Sequence, residues 1–472
     1  MAQEAHQEFR WYEGLAMAIS MLGIQIYSEL INQWGQYFYS PEEGTGRVIY
    51  VAIGFVAGIF VLGTVWDGVA NPIAGACSDM MKSQPGRWRF PRIRGRRRPF
   101  IFWGAVGMLF TFNAFWFPPV AQTSLVNMFY GAFMLCAHNT LFAMVSVPLL
   151  ALGPEIARSG AARVRLGAWC AVGMILGLAL ANAAPGIIIT MMGEQGDPWA
   201  YRKTAAIFSV IATASLLLPV LLVRERFDSA HANEVADFWS GLRDALKNRP
   251  FLIYTLAYFL FSAGFLAVQR VLPYWATVGL GGSEDTVTLL LLPFLATALI
   301  TAPLVILLCR HLHIKWVTFI AFMIITTGLP MMYFIGTGNA SQNTKIIFGA
   351  LLFAYTGIGQ GIMYVVQQPM IGEIVDYDEQ RFGQRREALF NGLANICWKI
   401  SMAVSILIGT QSMAWLGNSV ERPLGIYIVG PISGIFGLLG AIAILYYPRL
   451  HVTRETPPPL KSARRDNPPR AK

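Results

Sequence analysis

Long apolar runs constrain this chain more than any other feature of its sequence. They fall near 12-38, 48-78, 100-119, 123-151, 166-193 and 204-223, then near 251-277, 286-309, 316-336, 346-373, 388-416 and 424-447, set off by Gly, Pro and charged residues. A hydrocarbon layer of roughly 30 Å takes about 20 helical residues to cross. Inside it every backbone N–H and C=O must be paired within the protein, so runs of this length are read as helices, and the alternation of a barrel strand is absent. With 55% hydrophobic and 13% charged residues among 472, the chain has too few charges to coat a soluble globule. The expected fold is an all-α polytopic membrane protein with twelve transmembrane helices. No inward loop holds a nucleophile and base pair or a cluster of metal ligands, so no enzyme and no cofactor are expected beyond a coupling proton or sodium ion.

Placement of the basic residues sets the orientation. With the N-terminus inside, 29 of the 36 Lys and Arg fall on inward segments, and Arg47, Arg202, Lys203, Lys345 and Arg422 fall outside. Arg270 and Lys399 lie in spans or near their ends. This bias puts both termini in the cytoplasm and the protein in the plasma (inner) membrane, with the first run kept as a helix and not cleaved as a signal peptide. The eight basic residues of 82-98 read as a topology anchor beside anionic lipid, not as a nucleic-acid site. Five single cysteines show no disulfide or metal spacing. The expected organisation is a six-helix half over 1-224, a cytoplasmic linker over 225-249, a second six-helix half over 250-448, and a disordered basic cytoplasmic tail over 449-472. Val235, Phe238, Trp239, Leu242, Ala245 and Leu246 at helical spacing make the linker an amphipathic helix. A monomer in contact with membrane lipid and a small-molecule substrate is expected.

An internal echo supports two halves. Gly153, Glu155 and Ile156, followed by Arg163 and Arg165, match Gly372, Glu373 and Ile374, followed by Arg385 and Arg386. The two acids are 373 − 155 = 218 residues apart, each just after the fourth span of its half, as a six-plus-six pseudo-repeat around a central cavity would give.

Four stretches resemble the glycoside-pentoside-hexuronide:cation symporters, the melibiose-carrier branch of the major facilitator superfamily. They are Trp66 and Asp67 through Asn71, Pro72 and Gly75 to Asp79, with Arg96, Arg97, Arg98 and Pro99; Val147 and Pro148 through Gly153 to Glu155; Asn248 to Phe251; and Asp376 and Tyr377 with Gly383 to Glu387, leading to Lys399. They occur in the family's order across nearly the whole chain. The resemblance implies a twelve-helix fold whose cavity opens alternately to each side. It also exposes departures: the family carries a second acid where this chain has Asn71, an acid near Ser146, and an arginine near Cys170. In the melibiose carrier the last two grip the sugar and the span-two pair binds the cation.

A charge at mid-bilayer costs about 2.5 to 3.5 kcal/mol on insertion scales, so charged residues inside spans ask for a partner or a water-filled cavity. Asp67 lies 15 residues before Lys82, roughly 22 Å from the helix end at 1.5 Å per residue. Lys399, 12 residues after Glu387, reaches a similar depth. Together they read as a static pair or as a titrating carboxylate with its counter-charge, Asn71 beside it. Asn391, Asn395 and Lys399 form a stripe every four residues that faces the cavity or joins helices. His138, Asn139 and Ser146 in span four, Gln25 in span one, Gln360 in span ten and Trp398 complete the candidate substrate contacts. His138 reads as a proton carrier or an interhelical hydrogen bond, and Arg270 as snorkelling outward beside the interfacial aromatics Tyr274 and Trp275 or as binding an anion inward.

The expected function is secondary active transport by alternating access: symport of a small polar solute such as a sugar or glycoside with a proton, which needs one titratable group, in preference to sodium. The rivals are a lipid or lysolipid carrier on the same fold and a non-transporting membrane sensor or assembly factor. Asp79, Glu155, Glu373, Asp376 and Asp378 are expected to pair across the halves with Arg96, Arg97, Arg163, Arg165, Arg385 and Arg386, closing the cytoplasmic side.

Overall fold

A computed structural model describes residues 9–80, 97–157, 159–194, 196–223, 245, 247–382 and 386–448. Among these residues all regular secondary structure is helical. We number the long helices α1 (Trp11–Tyr39), α2 (Ile53–Met80), α3 (Arg98–Phe115), α4 (Leu125–Ile156), α5 (Gly160–Met192), α6 (Pro198–Leu222), α7 (Arg249–Gly279), α8 (Glu284–His311), α9 (Ile314–Thr337), α10 (Gln342–Phe382), α11 (Glu387–Leu416) and α12 (Leu424–Leu445). Eleven are long and apolar enough to cross a membrane. The twelfth, α3, has 18 residues and is made less apolar by Arg98 and Asn113, but it packs along α4 and α6 like its neighbours, and Asn113 donates to Ser209 Oγ at 2.8 Å. The expected linker helix, apart from Ala245, and the basic tail lie outside the described residues.

The sequence starts these helices with side-chain caps. Ser124, Ser159, Asp197 and Asn248 each accept a backbone N–H from the first turn that follows, and Pro198 and Pro250 occupy first-turn positions that need no donor. A capping box at Ser283 begins α8, and Gly417, at φ +96°, turns the chain out of α11.

The packing repeats. In the first half α1 lies against α5 and α6, α4 against α2 and α3, and α3 against α6; in the second α7 lies against α11 and α12, α10 against α8 and α9, and α9 against α12. Across the halves α5 meets α8 and α2 meets α11, a pattern preserved when the halves are exchanged. The echoed acids fall on equivalent helices, α4 and α10, which start 342 − 125 = 217 residues apart. Even the irregularities match, since α1 carries a π-helical turn over Ile31–Gly35 and α7 one over Trp275–Gly279.

The two ends of the bundle differ. Towards the terminal end, where α1 begins and α12 stops, α5 and α8 carry exposed apolar side chains such as Trp169, Val172, Ile300 and Leu304. At the far end the halves touch: Thr288 Oγ1 donates to the Ala183 carbonyl at 2.5 Å, Asn418 Nδ2 to the Pro41 carbonyl at 3.5 Å and Gln411 Nε2 to the Gly54 carbonyl at 3.4 Å. The most apolar stretches of α2, α8 and α11 are accordingly only 39%, 35% and 33% buried, against 61% and 56% for α1 and α7 at the centre.

Close crossings use glycine. A Cβ on Gly173 of α5 would overlap the backbone of Ala18 in α1, whereas one on Gly167 meets nothing within 4 Å. Gly173→Ala is therefore expected to destabilise by about 1 to 3 kcal/mol through overpacking, and Gly167→Ala to be neutral or stabilising through helix propensity. In detergent, Gly173→Ala should melt at least about 2 °C below Gly167→Ala; equal melting temperatures would contradict the crossing.

Candidate functional site

A cavity of about 540 Å³, its open mouth included, lies where the halves meet. From α1 it is lined by Tyr27, Ser28, Ile31 and Asn32, from α2 by Phe60, Thr64 and Asp67, and from α4 by Leu135, His138, Asn139 and Phe142. The second half contributes Arg270 from α7 and Met402 from α11. The lining thus combines apolar and aromatic side chains with charges, amides and hydroxyls. That combination suits an amphipathic or ring-shaped solute.

Asp67 is the one carboxylate in this lining. Its Oδ2 pairs with Lys399 Nζ, joining α2 to α11 across the halves. Its Oδ1 accepts from Asn71 Nδ2 at 2.9 Å, and the same amide reaches the Asp67 carbonyl at 2.7 Å. Both oxygens therefore have partners. The side chains of Lys399 and Asp67 are 24% and 21% exposed, so the pair is not sealed from the cavity. A pair so exposed contributes little to stability, and its value lies in which helices it connects. Asn71, in the position where a second acid was expected by resemblance, serves as a donor holding Asp67 in place.

Arg270 points inward. It is 3% exposed, donates from Nη1 to the Asn32 carbonyl and from Nη2 to Asn32 Oδ1, both at 3.3 Å, and lies 5.7 Å from the centroid of the Phe60 ring. Asn32 belongs to the π turn of α1, where the altered backbone register frees a carbonyl for this contact. The neighbouring Tyr274 and Trp275 are buried, not interfacial. Tyr274 Oη donates to the Ser40 carbonyl at 2.5 Å, and Trp275 Nε1 to the Met332 carbonyl at 3.2 Å.

His138 sits among aromatic rings, 5.5 Å from Tyr27 and 5.6 Å from Phe112, with Nδ1 at 3.5 Å from Thr111 Oγ1. Asn139 Nδ2 donates to the Gly63 carbonyl at 2.8 Å and so ties α4 to α2. The other candidates lie outside the lining. Gln25 packs by the close approach of α1 to Gly177. Ser146 is buried two turns from His138, towards the terminal end, and Gln360 is buried in α10 with Oε1 unpaired. Asn391 donates back to the Glu387 carbonyl at 3.0 Å, Asn395 is exposed, and Trp398 stacks on Tyr258 at 5.9 Å. The stripe on α11 thus runs out of the cavity towards the terminal end, and Met402, one turn beyond Lys399, is the residue that faces it.

Among the expected gate residues, Arg97 pairs with Glu155 at 2.8 Å and Arg386 with Asp378 at 2.8 Å, each inside one half. Arg163 Nε donates to the Ala157 carbonyl at 3.1 Å, and the Arg165 guanidinium lies 5.7 Å from the Phe9 ring centroid. Glu373 and Asp376 follow on α10. Arg96, Arg385 and the side chain of Asp79 lie outside the described residues.

The far end holds a lock that sequence reasoning missed. Arg47 Nη1 reaches Glu284 Oε1 at 3.1 Å across the halves, and Arg47 Nε reaches Glu42 Oε1 at 3.3 Å. Tyr201 Oη at 3.1 Å and the Gly196 N–H at 3.3 Å also donate to Glu284 Oε1. Burial works against the Arg47 charge, but Tyr37, Tyr201, Glu42 and Glu284 more than offset it and raise its pKa above the ordinary value. Arg47 therefore stays charged at all physiological pH. Acidic residues at span mouths are ordinary in composition, so only their convergence in space reveals the lock.

The sequence model of a family described as MFS/sugar transport protein matches residues 15–421. An isoprimeverose transporter of Lactiplantibacillus pentosus is 21% identical, with 93% of this chain and 88% of the relative covered. The inner membrane symporter YicJ of Escherichia coli (strain K12) is 22% identical, with 87% and 84% covered. Among solved structures, a D-xylose-proton symporter superposes with a TM-score of 0.67 at 15% identity, covering 94% of this chain and 99% of that one.

The lock generates a direct test. Losing a hydrogen bond to a charged group removes about 1.5 to 3 kcal/mol. In a cysteine-free background carrying Thr64→Cys in the cavity, Glu284→Gln should speed labelling by an impermeant thiol reagent from the far end by about tenfold. An unchanged rate would mean that Glu284 does not hold the halves closed.

Proposed function

The chain belongs to the family of MFS/sugar transport proteins, and from that premise we propose a cation-coupled symporter that carries a small polar solute, such as a sugar or glycoside, by alternating access. It is an integral membrane protein and not an enzyme. The names of the relatives, a sugar transporter and a symporter, support the solute class and the coupling.

The observation that carries the reading is the Asp67–Lys399 pair, which bridges the halves beside the cavity. Protonation would neutralise Asp67, release Lys399 and loosen the α2–α11 contact, so loading of the cation site would be felt by the helices that must move. Sodium prefers several oxygen ligands with negative charge nearby. Here Asp67 is the lone lining carboxylate, it faces an ammonium group, and Asn71 turns its N–H₂ towards it. These features favour a proton over sodium.

The distribution of basic residues supports a cytoplasmic terminal end. On that orientation the described state is open inward and locked outward by Arg47 and Glu284, and the expected ion pairs across the cytoplasmic ends would form when the cavity turns outward. A second reading, an amphipath carrier, is favoured by the apolar lining residues Phe60, Leu135, Phe142 and Met402.

Uptake into proteoliposomes under an imposed pH or sodium gradient tests the proposal. An inward proton gradient should drive accumulation, and Asp67→Asn should abolish accumulation while retaining solute exchange. Stimulation by sodium alone, with no effect of pH, would overturn the assignment.

A further inference from the structure

We propose that Arg270 anchors an anion subsite in the central cavity, so that the solute carries an oxyanion, a carboxylate or a phosphate. The inference rests on the transporter reading and narrows its substrate class. A guanidinium cannot shed its charge in a protein, and a buried charge without compensation is strongly destabilising. Arg270 is 3% exposed and lines the cavity. Among the described residues no carboxylate oxygen lies within 4.0 Å of it, and its partners, the two oxygens of Asn32 and the face of Phe60, are neutral.

The nearby carboxylates take their hydrogen bonds from other groups, and Glu29 acts on Arg270 only electrostatically, without a direct contact. Glu29, one turn before Asn32, accepts from Gln269 Nε2 at 2.9 Å, and that amide is itself shared with Asn182 at 3.1 Å. Asp67 is held by Lys399 and Asn71. With the Asp67–Lys399 pair neutral as a unit, Arg270 leaves the lining with net positive charge. Two of its five N–H groups go to Asn32, leaving three for a ligand. That fork matches the two oxygens of a carboxylate or phosphate, while Ser28 and Thr64 offer hydroxyls to the remainder of a solute.

A sugar acid and a phosphate-headed amphipath share this chemistry, and paired probes separate them. Full-length protein in detergent would be titrated by calorimetry with methyl glucuronide against methyl glucoside, and with lysophosphatidate against monoacylglycerol. In at least one pair the anion should bind at least tenfold tighter than its neutral counterpart, and which pair does so identifies the source. Arg270→Gln should abolish that preference. Arg270→Lys, which keeps the charge and the fold but loses the fork, should reduce it. Equal or tighter binding of the neutral members, a preference surviving Arg270→Gln, or no binding by either anion would overturn the proposal. Uptake of methyl glucoside by wild-type proteoliposomes, undiminished in Arg270→Gln, would overturn it while leaving the transporter reading intact.

Discussion

A carboxylate and an ammonium group set near the middle of a bilayer are each costly alone, and in this chain each is satisfied by a helix of the opposite half. The Asp67–Lys399 contact is therefore more than a local stabilisation: it ties α2 of one half to α11 of the other. The pair is also partly exposed, with neither side chain sealed in the packing. Asn71 keeps the carboxylate oriented towards Lys399 and adds no negative charge of its own. Charge compensation across the interface between the halves is the constraint on which the proposed coupling rests.

The rest of the fold supports the motion that this contact implies. The packing scheme survives exchange of the halves, with α5 on α8 and α2 on α11 as the shared seams. Glycines such as Gly173 let helix backbones touch within a half. At the far end the seams are closed by Glu284, Arg47, Tyr201 and Gly196. The π turns in α1 and α7 fall where these central helices approach one another, and the first of them supplies the carbonyl that receives Arg270.

Much of this was legible in the sequence because charges are rare inside apolar runs. The runs marked the helices, the echo around Glu155 and Glu373 marked the repeat, and depth arithmetic alone brought Asp67 level with Lys399. Sequence periodicity failed where a residue type serves two purposes. Thr64 bonds back to the Phe60 carbonyl at 2.8 Å and still lines the cavity, so nothing in its spacing separates it from Thr111, which bonds back to the Gly107 carbonyl at 3.2 Å. Asn391 and Asn395 lie outside the cavity lining, and Asn391 bonds back to its own helix at the Glu387 carbonyl. Arg270 kept two readings because Tyr274 and Trp275 resemble an interfacial belt by composition, and only packing shows both rings buried.

The central claim is that Asp67, through Lys399, ties protonation to the separation of the halves. Distances between spin labels placed at the terminal ends of α5 and α8, measured across a pH titration at fixed sodium, test it most directly. Acidification should shift the wild-type distribution towards shorter distances as the pair is released, and Asp67→Asn should show the short population at every pH. A pH-dependent shift that persists in Asp67→Asn, or a wild-type distribution that responds to sodium and not to pH, would contradict the account.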